Sequence, residues 1–411
     1  MKKILIALFV ISINIHAQNT LVSMQSDYKN QIFYSMSNGE VLNVQNDDWD
    51  ISFSTEIMSS TIRINGGKGV ELFTYPLGDT SSWNNINTST PNILTNVMHN
   101  SDTSWAMGAF DKYTLGGFDY GWGVYNLQTH HVVGDSLFLI RTVNGNWKKL
   151  WIKRKVAGEY IFKYADLDGS NIMDQSIIAS NYSDKRFIYF SLDQNQIIDR
   201  EPNLLEWDIT FTKYITDYPF QGSFVPYSVT GALINDGVEV AKALNIASPS
   251  TYTDYSQHDF ETIINSIGFD WKTYQGSYVV DNSRCYFIKD LSNNIWRLFF
   301  TSFDGASTGN IEFNTEMVSS PASVGNLLKE NKLVIYPNPT SGNSKLILDL
   351  KESINTISVY DMFGKIIFQE KVNINSFSYI DIPSSEFNSG VYIINISNGS
   401  KVVKEQKLVV Y

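Results

Sequence analysis

Trp49, Ile51 and Phe53 alternate with Asp50 and Ser52, and Trp207, Ile209 and Phe211 alternate with Asp208 and Thr210. A period of two puts one set of side chains on an apolar face and the other on a polar face, which predicts a β-strand at each place. The segments read DDWDISF and LEWDITF, and 158 positions separate Trp49 from Trp207. Other matches follow in the same order. Ile32-Phe33-Tyr34-Ser35-Met36 answers to Ile188-Tyr189-Phe190-Ser191-Leu192, and Gly69-Val70-Glu71-Leu72 to Gly237-Val238-Glu239-Val240. Val132-Val133 and Leu137–Ile140 parallel Val279-Val280 and Cys285–Ile288. Lys149–Ile152 then parallels Arg297–Phe300, and turns at Gly158 and Gly309 lead to Phe162–Tyr164 and Ile311–Phe313. The first 320 residues therefore read as one β-rich module built twice. Trp-Asp pairs also mark propeller blades, but those recur about every 40–45 residues, so a propeller is rejected.

After Ser319–Glu330 the pattern changes to short, evenly spaced strands at 333–336, 344–350, 354–360, 365–371, 377–382, 391–396 and 401–411. Turns fall at Met362-Phe363-Gly364 and at the Asn398-Gly399 pair, a hairpin signal. The expected class is all-β: two duplicated antiparallel β domains plus a C-terminal Ig-like β-sandwich. One helix is predicted, Asp259–Ile267, where Phe260, Ile263, Ile264 and Ile267 stand at helical spacing before Gly268. The expected boundaries are 1–17 signal peptide, 18–178 and 179–319 the two copies, 320–331 linker, and 332–411 the terminal domain.

Composition supports strands and turns: 14% of residues are aromatic, with Tyr and Phe dominant. Lys2-Lys3, the apolar run Ile4–Ile13 and Ala17 follow the order of a secretory signal peptide, with cleavage expected between Ala17 and Gln18. The run is too short to span a bilayer, and no transmembrane segment is expected in the mature chain. One cysteine, Cys285, excludes an internal disulfide and reads as a buried thiol. The net charge of −11 becomes −13 without Lys2 and Lys3, and this excludes nucleic acid as a partner.

The tail resembles the type A C-terminal sorting domain of the type IX secretion system. The matching residues are Tyr336-Pro337-Asn338-Pro339, Val359-Tyr360-Asp361 with Gly364-Lys365, Gly390-Val391-Tyr392, and the basic finish Lys401, Lys404, Lys407. The resemblance implies Sec export and then type IX transport in a Gram-negative cell of the Bacteroidetes type, with the product secreted or held at the outer surface, there attached to polysaccharide in some members. The first copy is similar to the HmuY-like family through the Tyr-Ser strand, the WD strand, Ile62-Arg63-Ile64-Asn65-Gly66-Gly67 and the final hairpin Leu137–Tyr164. That resemblance implies haem as a ligand. The second copy departs from it at Ala232–Gly237.

Haem needs axial donors such as His or Met, and the first copy offers Met98, His99, Met107, His130 and His131. Consecutive residues on a strand face opposite ways, so His130 and His131 do not both grip one iron. No ligand is assigned to either copy. Asn65–Gly69 lacks the Lys-Ser/Thr and helix of a phosphate cradle. Asp166–Asn171 has oxygen donors but lacks the spacing of an EF-hand calcium loop and reads as a turn. Asp119 and Asp270 occupy equivalent places in different copies. No catalytic constellation can be assembled, so the expectation is a protein that is not an enzyme. Two function classes remain: ligand binding, with haem foremost, and a surface structural or adhesive protein with no small-molecule ligand.

Overall fold

A computed structural model describes residues 18–56, 58–320, 332–350, 353–374, 377–399 and 401–411. The signal peptide expected at 1–17, Ala17 of its cleavage site, and linker residues 321–331 lie outside them. The described residues form strands and short 3-10 turns, the all-β class expected.

Two sandwiches carry the apolar alternation inward. In the first, a four-stranded sheet runs Gln196–Ile198, Phe187–Ser191, Ile51–Ser54, Ile62–Ile64. It faces a seven-stranded sheet that includes Trp147–Val156, Glu159–Asp166 and Met173–Ile178. Phe53 packs on Tyr160 and Phe162, with ring centroids 4.8 and 5.3 Å away. In the second, the four-stranded sheet runs Ser223–Ile234, Ile209–Phe220, Asn30–Ser35, Gly39–Gln45. The facing sheet runs Gln18–Ser23, Asn310–Ser319, Ile295–Phe303, Cys285–Lys289, Glu239–Ala243. Phe211 there meets Phe313 at 5.5 Å.

The repeat and the sandwich share a period and differ in phase. Each Tyr-Ser strand pairs with the WD strand of the other copy: Phe187–Phe190 with Ile51–Ser54, and Ile32–Tyr34 with Ile209–Phe211. The first sandwich is consequently one contiguous stretch, about 46–201. The second is assembled from both sides of it, 18–45 and 202–319. The boundaries 18–178 and 179–319 read from the repeat do not delimit these packing units, because residues 18–45 leave their own copy.

The aspartates of the WD strands fasten this exchange. Asp50 was expected on a polar strand face, yet it is fully buried, and Asp208 is 5% exposed. Asp50 accepts from the Val143 N–H at 2.8 Å and from the Leu192 N–H at 2.7 Å. Asp208 accepts from the Met36 N–H at 2.6 Å. Leu192 and Met36 each follow the exchanged Tyr-Ser strand, so one carboxylate ties that strand to its host. Asn65 and Asn235 complete the joint from equivalent positions. Asn65 Nδ2 donates to the Asn46 and Trp49 carbonyls, and Asn235 Nδ2 to those of Leu204 and Trp207. Burial raises Asp50 to about 6 and, with the charge of Asp290, raises Asp208 to about 7.

The helix expected at Asp259–Ile267 is absent. Residues 259–263 run extended, with Glu261 bridging Val240, and 264–267 form a turn in which the Ser266 N–H donates to the Ile263 carbonyl and Ile264 accepts from the Ile234 N–H. Ile264 and Ile267 are buried against the second core, and Ile263 is 42% exposed. A strap over a sheet edge satisfies those apolar positions as well as a helix would, and it also pairs the edge backbone.

The terminal domain is a sandwich of three strands (332–336, 344–349, 378–382) on four (366–374, 354–361, 390–398, 401–410). Val334 and Ile347 pack on Leu204 and Leu205, and Lys345 pairs with Glu56.

Residues 46–201 expressed alone are expected to give a cooperative melt. Residues 202–319 are expected to remain unfolded until a peptide of residues 18–45 is added, which circular dichroism would record. Asp208→Ala strands the Met36 N–H and is expected to cost about 1–3 kcal/mol in urea melts. The raised carboxylates also set a sign: between about pH 4 and 7 the folded state holds more protons than the unfolded, so stability falls as pH rises through that window. The fall should be smaller in Asp208→Ala.

Candidate groove between the sandwiches

The glycine-rich segment 65–69 makes the contact that shapes the groove. Gly66–Lys68 is one 3-10 turn closed by Gly69 at φ 93°, in the left-handed region. A Cβ on Gly67 would lie 2.1 Å from the Lys213 carbonyl oxygen, so only glycine lets this loop of the first sandwich dock on the WD strand of the second. An open groove of about 680 Å³ runs beside the contact, lined by Lys68, Glu71, His99, Lys213, Pro226 and Ser228 among others.

His99 is the chemically notable member. Both its ring nitrogens are buried and lack a hydrogen-bonding partner among the described residues. Burial, with the charge of Lys112, lowers its pKa, so the imidazole is neutral at neutral pH. Lys213 Nζ lies 5.8 Å from the centre of the Tyr28 ring, and burial lowers its pKa. Lys68 Nζ donates to the Asp27 and Tyr28 carbonyls at 3.3 and 3.1 Å. His99 thus lines the groove with both nitrogens sealed from solvent, under the charges of Lys112, Asp217 and Glu71, while Lys68 and Lys213 line the same groove. Lys68 and Lys213 can offset negative charge on a bound polymer, and His99 can take up a proton once its ring turns a nitrogen toward the groove.

Buried hydrogen bonds brace the joint around the groove. Arg63 is buried and donates to the carbonyls of Ser101, Ser104 and Met107 at 2.8, 2.8 and 3.1 Å. It thereby fixes the loop that carries Trp105, whose indole donates to the Ile234 carbonyl of the second sandwich at 2.9 Å. Arg200 donates to Gln31 Oε1 at 2.8 Å, and Gln31 to Thr210 Oγ1 at 3.0 Å. The outer faces of the two four-stranded sheets are thus joined by buried polar contacts.

The other histidines and methionines are dispersed. Met98 is core, with its sulfur accepting from Thr74 Oγ1 at 3.5 Å. His130 sits in an exposed hairpin turn with Nδ1 2.8 Å from the Tyr125 hydroxyl, and His131 opens the next strand. Met107 is 48% exposed, on the loop held by Arg63. Asp166 pairs with Lys148 at 2.6 Å, and Asp168 accepts from Ser170, which makes the candidate calcium loop a self-bonded turn. Asp119 accepts from the Leu115 and Gly121 N–H groups, whereas Asp270 pairs with Arg284. Cys285 is fully buried, which pushes its thiol up to about 11. Lys213 was missed in the sequence, since nothing local to it announces a partner more than a hundred residues away.

In the terminal domain, Asn338 donates to the Lys407 carbonyl and accepts from the Val409 N–H, clamping the last strand beside Tyr336-Pro337. Gly390 begins the strand Gly390–Asn398, Tyr392 is buried with its hydroxyl donating to the Asn388 carbonyl, and Lys401 and Lys404 are exposed on the final strand.

Residues 334–411 match the Secretion system C-terminal sorting domain family. The chain is therefore a secreted or outer-surface protein of a Gram-negative cell of the Bacteroidetes type, exported through type IX secretion. No helix among the described residues is long and apolar enough to cross a membrane. Over 183 residues the chain is 27% identical to an ulvan lyase of Nonlabens ulvanivorans, covering 44% of this chain and 29% of the lyase. The chain thus spans less than a third of the length of that relative. The crystal structure of dimeric latent PorU from Porphyromonas gingivalis aligns with 92% of this chain and 40% of its own, at 8% identity and a TM-score of 0.17, a level that carries no structural argument. The lyase match overturns the expectation that the protein is not an enzyme. That expectation rested on finding no catalytic constellation along the chain, and residues 68, 99 and 213, which line one groove, are connected by no sequence spacing.

Proposed function

We propose that the exported chain acts on an extracellular polysaccharide in the groove between its two sandwiches, by the elimination chemistry of a polysaccharide lyase. The observation that carries this reading is the groove itself, lined by Lys68, Lys213 and His99, whose neutral imidazole is buried and makes no hydrogen bond among the described residues. The partial similarity to an ulvan lyase supports the substrate class. Export to the cell exterior puts the protein where such polymers are met.

Elimination removes a proton from the carbon beside a uronate carboxyl and expels the glycosidic oxygen, leaving a carbon–carbon double bond. In this reading substrate entry turns the His99 ring so that a nitrogen sealed in the free protein faces the groove and takes the proton, and water protonates the departing glycosidic oxygen. The ammonium groups of Lys213 and Lys68 offset the charge that builds on the carboxyl group. Haem capture, which the HmuY-like resemblance implies, is served less well by the same residues: the Met98 sulfur is internal and His130 is engaged by Tyr125.

Mature chain 18–411 incubated with ulvan is expected to release unsaturated sugar ends, read by their ultraviolet absorbance. His99→Ala should lower the rate by roughly a hundredfold or more, the usual scale of a lost general base. Activity should fall on the acid side only below the ordinary histidine range, because burial lowers the His99 pKa. Absence of new absorbance from the wild-type chain, or an unchanged rate in His99→Ala, would contradict the reading.

A further inference from the structure

The two copies differ most in one hairpin. In the first copy the WD strand and its partner are Ile51–Ser54 and Ile62–Ile64. In the second they are Ile209–Phe220 and Ser223–Ile234, paired without interruption to the tip. The first sandwich closes without such an extension, so the extra length is not required by the core. Its outer half is aromatic and open to solvent: Tyr218 is 39% exposed, Phe220 53%, Phe224 71% and Tyr227 55%.

The register sorts these side chains. Residues directly opposite in an antiparallel pair share a face. Thr216 opposite Tyr227, Tyr218 opposite Val225, and Phe220 opposite Ser223 lie on one face. Tyr218 and Tyr227 have ring centroids 5.3 Å apart, and Phe269 braces Tyr218 from 6.2 Å. From Thr216 to Phe220 the face extends roughly 13 Å.

We propose that this face is a polysaccharide-binding platform, with Tyr218, Phe220 and Tyr227 stacking the apolar C–H faces of pyranose rings. The inference rests on the polysaccharide reading above and locates a holding site outside the groove. Three observations favour a glycan. Residues 214–229 contain no Lys or Arg and one Asp, so the face attracts no anionic membrane surface and holds a sugar by its C–H ring faces rather than by its carboxylates. Pro226 lies in the strand Ser223–Ile234, the outer strand of its sheet, and lacks the N–H that addition of a partner strand would use. Hydroxyls of Tyr218 and Tyr227 accompany the rings, whereas those of Thr216 and Ser223 are engaged by Asp102 and the Phe220 carbonyl; phenol edges suit a ligand apolar on its ring faces and hydroxylated at its edges. The platform shares its hairpin with the groove: Pro226 and Ser228, on either side of Tyr227, line the groove.

Affinity electrophoresis of the mature chain 18–411 in gels cast with ulvan tests the platform. The wild-type chain is expected to be retarded. The triple variant Tyr218→Ser, Phe220→Ser, Tyr227→Ser should bind at least tenfold more weakly with an unchanged melting temperature. The conservative pair Tyr218→Phe, Tyr227→Phe keeps the rings and should keep most of the retardation, which separates loss of stacking from loss of fold. Equal retardation of wild type and triple variant would overturn the platform and leave the groove reading standing. No retardation of the wild type would also overturn it, whether or not ulvan is turned over. Retarded wild type with no turnover would sink the lyase reading alone. Binding to phosphatidylcholine vesicles that the triple variant loses, without retardation by ulvan, would assign the face to membranes instead.

Discussion

The second sandwich has only the hairpin partner Ser223–Ile234 beside Ile209–Phe211 and no strand beyond Asn310–Ser319 until residues 18–45 reach it from the far side of a complete first sandwich. Everything else follows from that closure. The chain must leave Gly39–Gln45 in the second sandwich and enter Ile51–Ser54 in the first, so the two four-stranded sheets are held close by their own connection. Buried carboxylates at Asp50 and Asp208 secure both exchanged strands by main-chain hydrogen bonds. An unpaired N–H in such a place costs more than one hydrogen bond contributes. The joint is therefore specific as well as tight.

Closure also creates the groove. Gly67 of one sandwich lies against the Lys213 carbonyl of the other, and His99 and Lys213 line one groove only because the sandwiches are locked in this arrangement. A site built at such a joint has its groups preorganised by packing rather than by a flexible loop. The sorting domain is seated on the same body through Leu204, Leu205 and the Lys345–Glu56 pair. The signal for export and the module that does the work are thus packed together.

The alternation at 49–53 and 207–211 made the strands legible, and the matched turns at Gly158 and Gly309 made the repeat legible. The phase of the sandwiches was not. Ile32–Ser35 and Ile188–Ser191 are near-copies, so either strand suits either WD partner by pattern, and only the three-dimensional route of the chain decides. Residues 259–267 misled because Phe260, Ile263, Ile264 and Ile267 satisfy a helical period while an edge strap buries two of them equally well. The terminal domain was readable because its motifs are local: Tyr336-Pro337-Asn338-Pro339 and Gly390-Val391-Tyr392 each sit within a few residues. The groove was hidden for the opposite reason. His99 attracted notice as a histidine beside Met98, but Lys213 gives no signal in a strand of Thr and Tyr, and the exposure of Tyr218 and Tyr227 depends on a hairpin outgrowing its sandwich.

The claim that the joint forms a polysaccharide-acting groove rests on one imidazole. The chain has five histidines, and the His99 ring signal in a proton NMR spectrum can be assigned by its loss in His99→Gln. That signal is expected to titrate below the ordinary histidine range and to shift when ulvan oligosaccharide is added, while His130 and His131 stay in place. A His99 signal that titrates normally and does not move with the sugar would contradict the account.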